Sequence, residues 1–146
     1  RALDYVNIEL AKMIARDGEG ANHLIEVRVK NAGDEQTART IARSVASSNL
    51  IKAAVFGHDP NWGRIMCAAG YSGADFDPSC VDVYLGNIQV ARDGMGLAFD
   101  EARAAEEMEL ENVTITLDLK AGQKCATAWG CDLSYDYVRI NADYRS

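Results

Sequence analysis

Two loops flanked by glycine contain the residues whose types and spacing suggest chemistry. In the first loop, Glu19 lies between Gly18 and Gly20, and Asp17 directly precedes Gly18. Glycine has no side chain to cover the Glu19 carboxylate, which suits that group to bind a ligand's ammonium or to transfer a proton. The alternative interpretation is that the glycines end a helix and that Glu19 is only solvated. The pattern alone leaves both interpretations open.

The second loop, residues 57–64, concentrates polar and aromatic side chains around Gly57 and Gly63. They are His58, Asp59, Asn61, Trp62 and Arg64. The planar Arg64 guanidinium is able to bind a carboxylate through two parallel hydrogen bonds. In the alternative interpretation, Asp59 and Asn61 cap the next helix while Trp62 fills the core. We expect this loop to serve the architecture rather than catalysis.

No side chain in this sequence is recognisable as a nucleophile. The serines lack the G-x-S-x-G pattern of a nucleophile elbow, and no cysteine has a recognisable arrangement with histidine. The cysteines are Cys67, Cys80, Cys125 and Cys131. Their wide spacing, without a C-x-x-C pair, favours free thiols over zinc ligands or disulfides. We therefore expect neither a catalytic residue within this chain nor a metal site.

The composition is that of one globular domain, residues 1–146, with 48% hydrophobic and 25% charged residues. The formal net charge of −7 repels phosphate backbones and anionic membrane surfaces. No apolar run has the roughly 20 residues of a membrane span. We therefore expect no nucleic-acid or membrane partner, and we expect the protein in the cytoplasm or in the lumen of an organelle.

Hydrophobic periodicity predicts the elements that must position these loops. Helices are predicted over residues 3–16, 35–47, 65–69, 100–109 and 135–142, with Asp34 as the N-cap of the second helix. Strands are predicted over residues 24–29, 50–56, 81–85, 88–91, 113–119 and 125–131. Gly86-Asn87 is predicted as a hairpin turn, and a turn around Ala121-Gly122 joins the last two strands.

Because the predicted strands come in adjacent pairs, we expect an α+β fold with antiparallel strand pairs and packed helices. A parallel, doubly wound sheet is less favoured. The chain opens at Arg1, without an initiator methionine, and already inside a helical pattern. We therefore expect a processed or truncated piece of a longer protein.

Three segments together resemble a known enzyme family. They are residues 17–21, D-G-E-G-A; residues 59–65, D-P-N-W-G-R-I; and residues 131–146, C-D-L-S-Y-D-Y-V-R-I-N-A-D-Y-R-S. The chain is similar to ornithine acetyltransferase, also called glutamate N-acetyltransferase, of arginine biosynthesis. The similarity runs essentially from end to end, and the two longer segments are too long for chance agreement.

The resemblance implies a self-cleaving acyltransferase of the N-terminal-nucleophile type, cut into an alpha and a beta chain. The N-terminal threonine of the beta chain takes the acetyl group from N-acetylornithine and passes it to glutamate in a ping-pong sequence. No dissociable cofactor is implied, although some members also acetylate glutamate from acetyl-CoA. The resemblance further implies a heterotetramer or larger assembly that includes the alpha chain.

Residue by residue, the resemblance places this chain in the C-terminal part of the beta chain. The nucleophilic threonine, the oxyanion-hole residues and a substrate-contacting lysine then lie upstream, so this piece alone is expected to be inactive. Glu19, Asn141 and Ser146 match substrate-binding positions. The sequence departs from the family at Asn22-His23, where Thr-Lys is usual. That change removes a fixed cation next to Glu19.

Two other functions fit the same sequence. The first is a hydrolase of the same fold, in which water replaces glutamate as the acyl acceptor. The second is a non-catalytic module that binds amino acids or helps an assembly to form. Acceleration of acetylornithine turnover by glutamate distinguishes the transferase from the hydrolase.

Overall fold

A mixed sheet of six strands forms the centre of the chain in the computed structural model, which describes residues 1–144. The strands are β1 (Leu24–Ala32), β2 (Asp82–Leu85), β3 (Ile88–Arg92), β4 (Met95–Gly96), β5 (Asn112–Asp118) and β6 (Lys124–Cys131). The helices are α1 (Ala2–Arg16), α2 (Glu35–Ser47), α3 (Asn49–Phe56), α4 (Trp62–Gly70), α5 (Glu101–Glu109) and α6 (Tyr135–Asp143). A short 3₁₀ turn spans Pro78–Cys80. The predicted α+β class is confirmed.

The strand order is β4-β3-β2-β5-β1-β6. β1 runs parallel to β5 and antiparallel to β6, while the β2–β3, β2–β5 and β3–β4 pairs are antiparallel. The predicted turn joins β5 to β6, but the two strands do not pair with each other because β1 lies between them. The sheet is therefore antiparallel except at β1–β5, and the hairpin predicted at Gly86-Asn87 is confirmed.

The two faces of the sheet differ, as the alternation in β1 predicts. Ile25, Val27 and Val29 are buried in the main core. The helix α2 packs on this face of β1 and β6 through its small and branched side chains. These buried residues of α2 are Ala38, Ile41, Ala42, Val45 and Ala46. The predicted N-cap is confirmed, because Asp34 accepts a hydrogen bond from the Thr37 backbone N–H at 2.8 Å.

The helix α1 lies over the opposite face of the sheet. The Lys12 ammonium lies 5.9 Å from the centre of the Trp129 ring, and the Arg16 guanidinium lies 3.1 Å from the Glu111 carboxylate. No residue of α1 is buried. The predicted helix is thus confirmed, with an amphipathic surface in contact with β1 and β6.

The strand predicted over residues 50–56 is wrong, because this segment is the helix α3. Its buried residues Ile51, Ala54 and Val55 follow the i, i+3, i+4 spacing of one helix face. A short continuous apolar run has the same composition in a buried helix as in a buried strand. The tertiary packing of this run against the neighbouring helices α2 and α4 decides its conformation.

Two boundaries differ from the prediction by three residues, and one strand was not predicted. β1 continues to Ala32 beyond the predicted end at Val29, and α4 begins at Trp62 rather than at Ile65. β4 was not predicted, since its two residues follow Gly94 and carry no periodicity. At Gly96 a Cβ atom would lie 2.4 Å from the Trp62 ring, so the bare backbone of β4 packs directly on the indole. No helix within residues 1–144 is long and apolar enough to cross a membrane.

Candidate functional site

The loop from residue 17 to residue 23 connects α1 to β1 and carries Glu19. At its start the Asp17 backbone N–H still donates to Met13 O at 3.0 Å, which completes the last turn of α1. Gly20 then takes a positive φ of 68°, a conformation that glycine adopts without strain. The loop therefore reverses the chain and leaves the Glu19 side chain exposed.

Asn141 reaches this loop from the last turn of α6. Its Nδ2 donates to Glu19 Oε2 at 2.5 Å and to the Tyr137 backbone oxygen at 2.9 Å. Both acceptors fix the orientation of the amide, because an amide oxygen turned toward them would have no proton to donate. The structure therefore brings together two of the three residues that the resemblance assigns to substrate binding. The third, Ser146, lies outside the residues that the structure describes.

The two side-chain oxygens of Glu19 and Asn141 that the described residues leave free are hydrogen-bond acceptors. Glu19 Oε1 and Asn141 Oδ1 receive no hydrogen bond from any residue between 1 and 144. A carboxylate oxygen and an amide oxygen on neighbouring side chains suit a ligand that presents several N–H groups, such as an ammonium. The geometry therefore fits the first interpretation of the loop, in which Glu19 binds a cationic group.

Two buried side chains between β6 and α6 fasten the Glu19 loop. Asp132 Oδ1 accepts hydrogen bonds from the backbone N–H groups of Asn22 at 2.8 Å and His23 at 2.9 Å. Ser134 Oγ donates to the Gly20 backbone oxygen at 2.5 Å and also accepts from the Tyr137 N–H at the start of α6. The sequence analysis missed both residues. For Ser134 a signal existed, since serine directly before a helix is a favoured N-cap.

His23 links the end of the same loop to a second loop and to α5. Its Nδ1 lies 2.8 Å from the Leu110 backbone oxygen, and its ring meets the ring of His58 edge to face at 5.5 Å. His58 Nδ1 lies 3.8 Å from Glu109 Oε1. In the described part of the chain, no group of three or more His, Cys, Asp or Glu side chains is arranged to hold a metal ion.

The loop of residues 57–64 serves the architecture as expected, although only Asn61 caps the next helix and Asp59 does not. Asn61 caps α4 by accepting from the Arg64 N–H at 3.1 Å, and its own amide donates to Asp59 Oδ2 at 3.1 Å. The Arg64 guanidinium donates to the Leu50 backbone oxygen at 3.1 Å, which ties this loop to α3. Trp62 is partly buried against the core. These contacts tie Asp59, Asn61 and Arg64 to the fold.

The most extensive ion pairing lies at the opposite end of the sheet from Glu19. Lys120 Nζ lies 2.6 Å from Asp82 Oδ1 and 2.6 Å from Asp93 Oδ1. Burial alone would raise the pKa of Asp82, but the hydrogen bonds from Lys120 and from the Asp93 N–H outweigh it and hold this pKa below its ordinary value. The Asp82 and Asp93 carboxylates, through their hydrogen bonds, raise the pKa of Lys120. This cluster is a structural tie between β2, β3 and the end of β5.

The model of the ArgJ family matches residues 1–146. Over 145 residues the chain is 60% identical to the arginine biosynthesis bifunctional protein ArgJ of Symbiobacterium thermophilum, with 99% of this chain and 36% of that protein covered. It is 54% identical to the protein of the same name from Caldanaerobacter subterraneus subsp. tengcongensis, covering all of this chain and 37% of that protein.

A crystal structure of the arginine biosynthesis bifunctional protein ArgJ from Bacillus halodurans has the same fold. It is 45% identical, with a TM-score of 0.94 over 98% of this chain and 68% of that chain. This similarity agrees with the N-terminal-nucleophile-type fold that the sequence resemblance implied. The chain spans little more than a third of the length of the curated relatives it matches.

Proposed function

The chain belongs to the ArgJ family, and from this membership we propose that it is the substrate-binding part of an acetyltransferase of arginine biosynthesis. The whole protein transfers the acetyl group of N-acetylornithine to glutamate. Its relatives are named bifunctional proteins of arginine biosynthesis, which supports a transferase over a hydrolase or a non-catalytic module. The second activity of such a protein is the acetylation of glutamate from acetyl-CoA.

The contact between Glu19 and Asn141 carries this proposal. N-acetylornithine has a free side-chain ammonium, whereas the α-amine of glutamate is the group that must attack the acetyl ester. The Glu19 carboxylate pairs with the side-chain ammonium of N-acetylornithine, while Asn141 holds the carboxylate and accepts a further N–H through Oδ1. Ser146 completes the set as a hydroxyl that bonds polar substrate atoms at the end of the chain.

The reaction that these residues serve has two half-reactions. A threonine hydroxyl from the rest of the protein attacks the acetyl carbonyl of N-acetylornithine, which forms an acetyl-threonine ester and releases ornithine as the amine. The amine of glutamate then attacks this ester, which releases N-acetylglutamate and restores the threonine hydroxyl. In both steps the residues of this chain bind and orient the amino acid. They take no part in bond breaking, and no cofactor enters either step.

We also propose where this chain lies in the whole protein and which chain is its partner. Residues 1–146 form a single domain in the C-terminal portion of the beta chain, and the domain alone is inactive. The alpha chain of the same precursor is its partner in a heterotetramer or larger assembly. We propose that the protein works in the cytoplasm, or in an organelle matrix if the source is a eukaryote.

Intact mass spectrometry of the full-length protein tests this function. The protein is weighed before and after N-acetylornithine is added without glutamate, and again after glutamate is added. We expect two chains, of which one begins with threonine and gains a single acetyl group that glutamate then removes. Loss of the acetyl group at the same rate without glutamate would identify a hydrolase. A single uncut chain that never gains mass would contradict the catalytic function altogether.

A further inference from the structure

The Asp132 carboxylate is buried in an unusual way. The residue is 3% exposed, and its Oδ1 accepts hydrogen bonds from the backbone N–H groups of Asn22 and His23. Its Oδ2 is buried and has no hydrogen-bond partner within residues 1–144. A buried carboxylate with one unpaired oxygen is costly to the folded state. Any oxygen acceptor at this position would hold the two N–H groups, so the role of Asp132 lies in the position of Oδ1 rather than in its charge.

Ser134 performs two tasks at once, although it too is only 3% exposed. Its hydroxyl proton goes to the Gly20 backbone oxygen, and its lone pair accepts the Tyr137 N–H at the first turn of α6. One oxygen atom therefore joins the residue directly after Glu19 to the helix that carries Asn141. Movement of the Glu19 loop away from α6 breaks this bond.

The backbone approach at this junction is close. A Cβ atom at Gly20 would lie 2.7 Å from the Tyr137 backbone nitrogen, and a Cβ atom at Gly18 would lie 2.5 Å from Cys131 Sγ. On both sides of Glu19 the loop therefore rests directly against β6 and α6. Such packing restricts the loop to one position relative to α6.

We propose that Asp132 and Ser134 are positioning residues that hold the Glu19 loop against α6, so that Glu19 and Asn141 present one preformed site for the ammonium of an acylated amino acid. The inference rests on the proposed function of Glu19 and Asn141. The two residues touch no substrate. They act through the three backbone groups that follow Glu19, and thereby reduce the ordering that substrate binding would otherwise require.

Steady-state kinetics of the full-length, processed enzyme with N-acetylornithine and glutamate test this role. Asp132→Ala removes the acceptor of both N–H groups, whereas Asp132→Asn keeps an oxygen at Oδ1. Asp34→Ala is the matched control, because it removes an aspartate that accepts backbone N–H at the start of α2 and has no contact with the Glu19 loop. We expect Asp132→Ala to raise the KM for N-acetylornithine about tenfold with kcat within about twofold of wild type. We expect Asp132→Asn to restore most of the affinity and Asp34→Ala to leave KM unchanged.

A double variant separates positioning from a general loss of structure. Because Asp132 acts through Glu19, Asp132→Ala added to Glu19→Gln should raise KM by much less than it does alone. Ser134→Ala, which removes a single oxygen, provides the same comparison if Asp132→Ala does not fold. Full additivity with Glu19→Gln, or an unchanged KM in folded Asp132→Ala and Ser134→Ala, would overturn the positioning role.

The behaviour of the wild-type enzyme distinguishes a failure of the proposed function from a failure of the positioning role. A wild-type protein that N-acetylornithine never acetylates would overturn the proposed function and, with it, the positioning role. A wild-type protein that transfers acetyl groups, with variants that keep its KM, would overturn the positioning role alone.

Discussion

Asn141 donates a hydrogen bond to Glu19 across a sequence separation of 122 residues, at 2.5 Å. The contact joins the loop after the first helix to the last turn of the last helix. Both side chains are exposed, so the bond lies at the surface where a ligand is able to replace water. An exposed hydrogen bond of this kind contributes little to folding, and we propose that its role is to orient Glu19 for ligand binding.

Replacement of Asn141 with alanine should weaken substrate binding more than stability. The variant loses the hydrogen bond that orients Glu19 and the acceptor Oδ1. We expect the KM for N-acetylornithine in the full-length enzyme to rise roughly three- to tenfold, since an ordinary hydrogen bond of about 0.5–1.5 kcal/mol corresponds to about that factor. Asn49→Ala, at an exposed position in the first turn of α3, is the control and should leave KM unchanged. Equal KM values for both variants would remove Asn141 from the site.

A methyl group at Gly20 should separate the Glu19 loop from α6. Gly20 has a φ of 68°, and a Cβ atom there would lie 2.7 Å from the Tyr137 nitrogen. Gly73 is a matched control, with a φ of 81° and no atom within 4 Å of the added Cβ. The positive φ costs either alanine variant about 1–2 kcal/mol of unfolding free energy.

Only Gly20→Ala has the additional clash. Its loss of unfolding free energy in urea should therefore exceed that of Gly73→Ala, and its KM for N-acetylornithine should rise while that of Gly73→Ala does not. Equal effects on stability and on KM would show that the close approach to α6 does not constrain the loop.

The ion pair between Asp82 and Lys120 should make the free energy of unfolding depend on pH. Burial raises the pKa of Asp82, but the hydrogen bonds from Lys120 and the Asp93 N–H lower this pKa by more than burial raises it. The folded-state pKa therefore lies below the ordinary 3.8. A lowered pKa contributes stability that is fully present above the ordinary value and is lost as the pH falls through the folded value. The wild type should therefore exceed Asp82→Asn in unfolding free energy at pH 7, by a margin that shrinks below about pH 4.

Urea unfolding at a series of pH values measures this margin. Asp75→Asn is the control, because Asp75 is exposed and the described residues make no hydrogen bond to its side chain. Its difference from wild type should stay small and constant across the series. A margin for Asp82→Asn that does not change between pH 7 and pH 3 would contradict the lowered pKa.

The sequence patterns predicted those elements whose local signals agree with their packing. The alternation of Ile25, Val27 and Val29 indicated β1, and Asp34 marked the start of α2. The segment of residues 50–56 misled the prediction, because its apolar composition fits a buried strand as well as a buried helix. The insertion of β1 between β5 and β6 has no local signal, since strand neighbours depend on the whole topology.

The candidate site was predictable only in part. The local pattern indicated Glu19 as an uncovered carboxylate, and the resemblance indicated Asn141 and Ser146. The contact between Glu19 and Asn141 could not be predicted, because no periodicity relates residues 122 positions apart. Asp132 was missed because the partners of a buried aspartate become visible only in the folded structure. The three polar groups that it and Ser134 hold lie more than a hundred residues away in sequence.

The central claim is that Glu19 binds the substrate's ammonium, and the acetylation half-reaction tests it most directly. Intact mass spectrometry after short reaction times gives the acetylation rate of the full-length protein at increasing N-acetylornithine, without glutamate. Glu106→Gln, at an exposed position on α5, is the matched control. We predict that Glu19→Gln raises the concentration for half-maximal rate about tenfold or more, leaves the limiting rate within about twofold, and differs clearly from Glu106→Gln. A half-maximal concentration equal to that of wild type would contradict the claim.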